Sequence, residues 1–135
     1  MKVEAGLFGT LDIAVSGLKA NRKQVDVITS NVVNARTTDV GDGQPYRRLE
    51  TIFKTDPDAL SGVEVAEVVE DPSAFQRVLK PNHPQADADG YVLMPNVDLP
   101  QELIQLNMAT RAYQASAAIM KRYQKMVETS LGLLK

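Results

Sequence analysis

Cysteine and tryptophan are absent from the 135-residue chain, and aromatic residues make up only 5% of it. Without cysteine there can be no disulfide, thiolate metal site or cysteine nucleophile. No apolar run approaches the roughly 20 residues that a membrane-crossing helix needs. The opening residues, Met1-Lys2-Val3-Glu4-Ala5-Gly6, lack a basic stretch followed by an apolar core and a small-residue cleavage site. A classical cleaved secretory signal is therefore not expected.

Proline is missing from both ends. All seven prolines lie between Pro45 and Pro100. Proline in a helix interior costs about 3 kcal/mol, so its confinement to the centre permits a long helix at each end. Charge follows the same division. Residues 1–36 carry five basic and three acidic side chains, residues 37–100 five and twelve, and residues 101–135 five and two. The net charge of −2 thus hides an acidic middle between mildly basic ends. There is no polybasic tract and no alternation of basic with aromatic residues, so nucleic acid is not an expected partner.

The first segment carries apolar residues at alternating three- and four-residue steps: Leu7, Leu11, Ala14, Leu18, Asn21, Val25, Ile28 and Val32. That spacing averages about 3.5 residues, the coiled-coil period. Asn21 is its one polar member. It either fixes the register of a helical pair or faces water at a gap in the seam. The helix is expected to end near Asn34, a residue type that tolerates the left-handed helix-ending conformation, ahead of the turn-forming residues Thr37 to Gly43.

The last segment keeps the same spacing for five heptads, through Leu99, Leu103, Leu106, Thr110, Tyr113, Ala117, Met120, Gln124, Val127, Leu131 and Leu134. A second, weaker stripe runs through Met108, Ala112, Ala115, Ile119, Met126 and Leu133. One partner helix buries one seam, so two stripes call for neighbours on both sides. The second stripe is covered either by other subunits or by the chain's own middle region. At 1.5 Å per residue the helices would span roughly 40 and 50 Å, lengths that suit an antiparallel pair. The middle region is then expected at the tip away from the chain ends.

Three strands are expected in that middle. Gly62–Val69 alternates apolar and polar residues, and Phe75–Leu79 and Tyr91–Met94 are shorter candidates. Asp89-Gly90 marks a tight turn before Tyr91. The expected fold is mainly α with a small β-rich insert: residues 1–36 and 99–135 as long helices forming an antiparallel coiled-coil-like pair, and residues 37–98 as a small central β-containing region.

Chemistry finds little purchase. His83 is the only histidine, and with Asp87 and Asp89 it is the one candidate for a small metal-binding domain. Asp87-x-Asp89-Gly90 resembles the start of a calcium loop, but the twelfth position is Asp98 where such a loop needs a bidentate Glu. Ser16, Ser30 and Ser61 lack a nucleophile-elbow context, and no second histidine could serve a base. Gly41-Asp42-Gly43 lacks the Gly-Lys-Ser/Thr ending of a phosphate loop. No enzyme, no metal, no cofactor and no small-molecule substrate is expected. Arg47 and Arg48, after a Pro-Tyr turn, either pair with carboxylates of a neighbouring subunit or decorate an exposed strand face.

Several stretches spell a known pattern. Leu11-Asp12-Ile13-Ala14, Ser16-Gly17-Leu18 and Ser30-Asn31-Val32-Val33-Asn34-Ala35-Arg36-Thr37 resemble the N-terminal signature of bacterial flagellar rod and hook axial proteins. Gly43-Gln44-Pro45-Tyr46-Arg47-Arg48, Asp87 to Val92, Met94 to Asp98 and Ala109 to Ala115 narrow the resemblance to proximal-rod members of that family. It covers nearly the whole chain in order. Val33 departs from the usual Ala and Ser116 from a frequent Asn, and neither breaks a helix.

The resemblance implies a structural subunit of the basal-body rod. Such proteins are exported from the cytoplasm by the flagellar type III apparatus without a cleaved signal, and polymerise with themselves and other rod proteins around the export channel. In the family the terminal helices build the inner tube and the middle region faces outward. Carried over as assembly elements are Asn31, Asn34 and Thr37 at the helix-to-turn junction and Arg111, Tyr113 and Gln114 on the last helix. Leu11, Leu18, Leu106, Met120, Val127 and Leu131 join them as seam residues of the interface. Gly90, Tyr91, Pro95 and Asn96 match the central motif. Another type III axial component and the metal-binding domain around His83 are the alternative readings.

Overall fold

The computed structural model describes residues 2–55 and 62–133, of which residues 2–8 and 10 are described in backbone only. The side chains of Leu7 and Leu134 in the two seams, and Ser61, lie outside the described residues. The element order is α1 (Lys2–Val33), β1 (Leu49–Thr55), β2 (Val63–Glu70), β3 (Gln76–Leu79), β4 (Tyr91–Met94) and α2 (Leu99–Gly132).

Both long helices stand where proline permits them. At 1.5 Å per residue α1 spans roughly 48 Å, longer than the seam alone suggests, and α2 roughly 51 Å. The start of α2 is set chemically. Asp98 is its N-cap, the Asp98 Oδ1 accepts the backbone N–H of Gln101 at 3.1 Å, and Pro100 occupies the first turn, where its missing N–H is harmless.

The end of α1 differs from expectation. No described residue other than glycine has a positive φ, so Asn34 does not take the left-handed form. Its side chain ends the helix instead. Asn34 Nδ2 donates to the Ser30 carbonyl at 2.9 Å, and its Oδ1 accepts from Thr37 Oγ1 at 3.2 Å.

The helices pack antiparallel. Asn31 near the end of α1 meets Glu102 in the first turn of α2, and Asn21 farther back meets Ser116 farther on. Asn21 Nδ2 donates to Ser116 Oγ at 3.3 Å, so this seam residue lies half-buried in the helix interface rather than facing water at a gap.

The three expected strands are present, and one was not foreseen. β1 carries Leu49-Glu50-Thr51-Ile52-Phe53-Lys54-Thr55, whose polar–apolar alternation breaks at Ile52-Phe53. It pairs antiparallel with β2, from Leu49 opposite Glu70 to Thr55 opposite Val63, and the register shifts at Ile52/Phe53 so that Ala66 is left over. β3 pairs antiparallel with β4, Gln76 opposite Met94 and Leu79 opposite Tyr91. The two pairs form separate two-stranded sheets.

The β1–β2 ribbon corrects the expectation that the middle region stays at one tip. Leu49 is bonded to Asn31 of α1, and the Val63 N–H donates to Ser16 Oγ at 3.1 Å. The ribbon therefore folds back along α1. Seven strand residues cover about 23 Å, matching the roughly 22 Å of helix between Asn31 and Ser16.

Apolar burial is concentrated at one end. Among the described residues the buried apolar side chains are Ala20, beside Val63 and Val65 of β2, and Val27, Ile28, Pro45, Val92, Pro95, Val97 and Ala109 toward the junction of helices and insert. Beyond it the described seam residues are half-buried or exposed.

Gly62 tests this packing. Its φ is +82°, and a Cβ there would overlap Ser16 Oγ and lie 3.2 Å from the Ile13 Cα. The left-handed conformation alone costs a non-glycine residue about 1–2 kcal/mol, so Gly62→Ala should lower stability by at least that much in urea unfolding. Gly9, helical with open space around its Cβ position, behaves oppositely: Gly9→Ala should raise stability by up to about 1 kcal/mol.

Candidate functional site

Two features of the described residues stand out: what locks insert to helices, and which surfaces stay open. The lock is a buried polar node around Asn31, which is fully buried. Asn31 Nδ2 donates to the Leu49 carbonyl at 2.9 Å and to Glu102 Oε2 at 3.1 Å. Asn31 Oδ1 accepts the Leu49 N–H at 2.9 Å and the Tyr46 hydroxyl at 3.0 Å. A side-chain amide has two donors and two principal acceptor sites, and all are used. One residue of α1 thus holds the first residue of β1, the preceding loop and α2.

Glu102 is buried as completely, at 1% exposure. Its Oε1 accepts from Arg48 Nε at 2.5 Å. Arg48 also bonds Glu50 and lies 3.3 Å from Asp71 Oδ2, while its backbone N–H donates to Asn96 Oδ1 at 2.8 Å. Asn96 Nδ2 in turn donates to the Asp71 carbonyl and Ser73 Oγ. Burial alone would lower the Arg48 guanidinium, but the hydrogen bonds and charges of Glu102 and Glu50 outweigh it and hold Arg48 above its ordinary value. Asp71 lies below the ordinary carboxylate range, first because the Ser73 N–H and hydroxyl bond it, then because of Arg48.

These contacts correct the reading of the arginine pair. Neither arginine lies on an open strand face. Arg48 is committed to carboxylates of its own chain. Arg47 donates to the Asp71 and Ser73 carbonyls at 3.0 Å and stacks 4.2 Å from the Phe75 ring centre.

The expected site residues divide. Asn31, Asn34 and Thr37 serve the chain's own junction. Leu11, Leu18, Leu106, Tyr113, Met120 and Val127 are half-buried along the helix pair, while Arg111, Gln114 and Leu131 are exposed. The second stripe of α2 is open to solvent: Met108 is 66% and Ile119 58% exposed, and Ala112, Ala115, Met126 and Leu133 are exposed with them. The middle region does not cover this stripe among the described residues, because the β1–β2 ribbon packs on α1.

Around His83 the side chains are otherwise engaged. His83 Nδ1 accepts the Gln85 N–H at 3.2 Å. The Asp87 carboxylate accepts the Tyr91 and Asp89 N–H groups and pairs with Arg77 at 2.7 Å, which lowers its pKa. The segment is a turn closed by Gly90, whose φ is +81°.

Comparison with known proteins places the sequence among relatives. Residues 11–39 match a family model described as flagella basal body rod protein, and residues 88–133 one described as flagellar basal body rod FlgEFG protein C-terminal. The flagellar basal-body rod protein FlgC of Salmonella typhimurium is 39% identical over 130 residues, covering 94% of this chain and 97% of that protein. FlgC of Borreliella burgdorferi is 34% identical, covering 96% and 99%. FlgC of Bacillus subtilis is 33% identical, covering 95% and 98%.

Two outcomes are expected of the node. Removing one partner of a buried ion pair costs about 3–5 kcal/mol, so Arg48→Met should destabilise the chain by that amount. The Arg48→Met/Glu102→Leu double variant should recover about half of the loss, a coupling read from urea unfolding of the full cycle. The second outcome concerns acid. Asp71 has a folded pKa below its ordinary value of 3.8, so its stabilisation is complete above that value and lost as pH falls through the lower folded one. Acid unfolding followed by circular dichroism should show that dependence, and Asp71→Asn should flatten it.

Proposed function

This chain belongs to the FlgC family of flagellar basal-body rod proteins, and on that premise we propose how its parts serve the rod. It is a structural subunit of the basal-body rod and not an enzyme, as its family is. In our reading it sits in the proximal rod, where residues 1–36 and 99–135 pair as a coiled-coil-like unit of the axial core. Residues 37–98 form the outward-facing region. Copies of the chain and other rod proteins pack through the terminal helices into a hollow shaft that transmits torque and encloses the export channel. The chain reaches the rod through the flagellar type III apparatus without a cleaved signal.

One observation carries this reading: the apolar stripe of α2 that faces away from α1 and lies open in the single chain. A helix with a second apolar face needs a second neighbour. The uneven packing supports it too. The junction end has a core and a saturated polar node, while the far end of the helix pair leaves Leu131 60% exposed. Surface left unburied in the monomer becomes the interface of the polymer, so the helices gain their full order as the subunit joins the growing tip.

Quantitative mass spectrometry of purified hook–basal bodies tests the role. The chain should be present at a small fixed copy number that survives detergent and high salt. Leu131→Asp should leave the monomer's urea midpoint unchanged, because the side chain is already exposed. A charge trapped between packed helices costs several kcal/mol, so the same change should remove the chain from the particles and abolish swimming. Normal motility with Leu131→Asp would contradict the interface.

A further inference from the structure

Two open faces of opposite charge lie on different sides of the chain. The first is the outer surface of the β1–β2 ribbon, whose strands hold four glutamates and one lysine. Strict alternation would send Glu64 and Glu67 to opposite faces of a strand. The bulge that leaves Ala66 over restarts the alternation, so the exposed Glu64 and Glu67 share a face, while Glu70, three residues further on, falls to the opposite one. Glu64 has Lys54 opposite it and Glu70 lies 4.0 Å from Arg47, whereas Glu67 faces Ile52 across the ladder. Ile52, opposite Glu67, is 46% exposed beside these acids.

The second face is the side of α2 turned away from α1. Arg111, Arg122 and Lys125 are exposed there. Eleven residues are three helical turns, so Arg111 and Arg122 point the same way to within about 20°, and Lys125 lies about 60° from Arg122. Ala109 and Ser116, which meet α1, lie on the opposite side of the helix. The exposed apolar side chains Ile104, Met108 and Ile119 flank the basic row. Glu102, one of only two acids in α2, is buried in the node and subtracts nothing from this surface.

We infer that the basic outer face of α2 receives the acidic β1–β2 ribbon of a second copy of this chain. The inference rests on the reading that copies of the chain polymerise, and it names the surfaces that meet. The acidic pair fits within the basic row: Glu64 and Glu67, opposite Lys54 and Ile52, lie roughly 7 Å apart along the ribbon, and Arg111 to Lys125 covers about 21 Å of helix. Both faces mix charge with exposed apolar side chains. The apolar contact supplies most of the affinity, since exposed ion pairs contribute at most about 1 kcal/mol each. Charge selects which faces meet.

Charge also selects the symmetry. A two-fold dimer through either face would set basic against basic or acid against acid. Joining two different faces of one chain is a heterologous contact, which repeats into a ring or a helical stack.

The test is a charge exchange in the source cells, with the native copy removed. Glu64→Lys/Glu67→Lys in the ribbon and Arg122→Glu/Lys125→Glu in the helix should each reduce incorporation into hook–basal bodies by about tenfold. The chain carrying all four changes should recover most of it. Circular dichroism of each purified variant verifies that its helices are intact. Independently, Glu67→Cys combined with Arg122→Cys, in a chain that has no other cysteine, should cross-link neighbouring copies in isolated particles, and neither change alone should. Reversals that incorporate like the native chain, a four-fold variant no better than its parents, or no cross-link in assembled particles would each overturn the contact while leaving the rod role standing. Absence of the native chain from the particles would overturn the polymerisation reading, and this contact with it.

Discussion

Everything in this chain hangs on a buried amide. Asn31 has no exposed surface and uses both donors and both acceptor sites of its side chain on four groups. Through it the end of α1, the start of β1, the Tyr46 loop and the first turn of α2 are fixed to one another. The apolar core around it is small, and small apolar cores do not specify geometry well. A fully satisfied polar node does, because any shift strands a buried donor or acceptor at a cost of about 1–3 kcal/mol. Glu102 and Arg48 extend the same constraint into Asp71, Asn96 and the loop before β3.

The node also explains the lopsided distribution of order. Val27, Ile28, Val92, Val97 and Ala109 lie toward it, and the helix pair beyond has no comparable core among the described residues. The subunit thus has a rigid head and two helices whose remaining apolar surface exceeds what one another can cover. For a protein of the rod family this is a sensible division. In the proposed rod the head would bring a defined shape to assembly, and the helices their open apolar stripes.

The ribbon's course along α1 matters for the same reason. By covering one side of α1 rather than α2, it leaves the α2 stripe and its basic row free. The bulge at Ala66 then puts Glu64 and Glu67 on one face of the ribbon. Opposite charges end up on different sides of a single chain, an arrangement that suits directional assembly better than pairing into closed dimers.

Much of the architecture was legible in the sequence because it depends on local rules. Proline confined to residues 45–100 and the 3-4 apolar steps pointed to two long helices, and the structure adds the Asp98 cap at the start of the second. Three of four strands followed from apolar runs and turns, and the flagellar signature pointed to the family. β1 escaped because its own residues do not alternate: Glu50-Thr51 are both polar and Ile52-Phe53 both apolar. What the local pattern could not supply was partnership. Asn31 and Glu102 are polar residues with nothing in their neighbourhood to announce burial, and Arg48 gives no sign that its carboxylates come from 2, 23 and 54 residues away. Their burial and pairing arise only when distant segments close on one another, because a hydrogen-bonded ion pair is a property of two positions in space and not of either residue alone. Local chemistry determined most of the elements; only the tertiary structure decided which polar groups lock them together and which apolar face of α2 stays open.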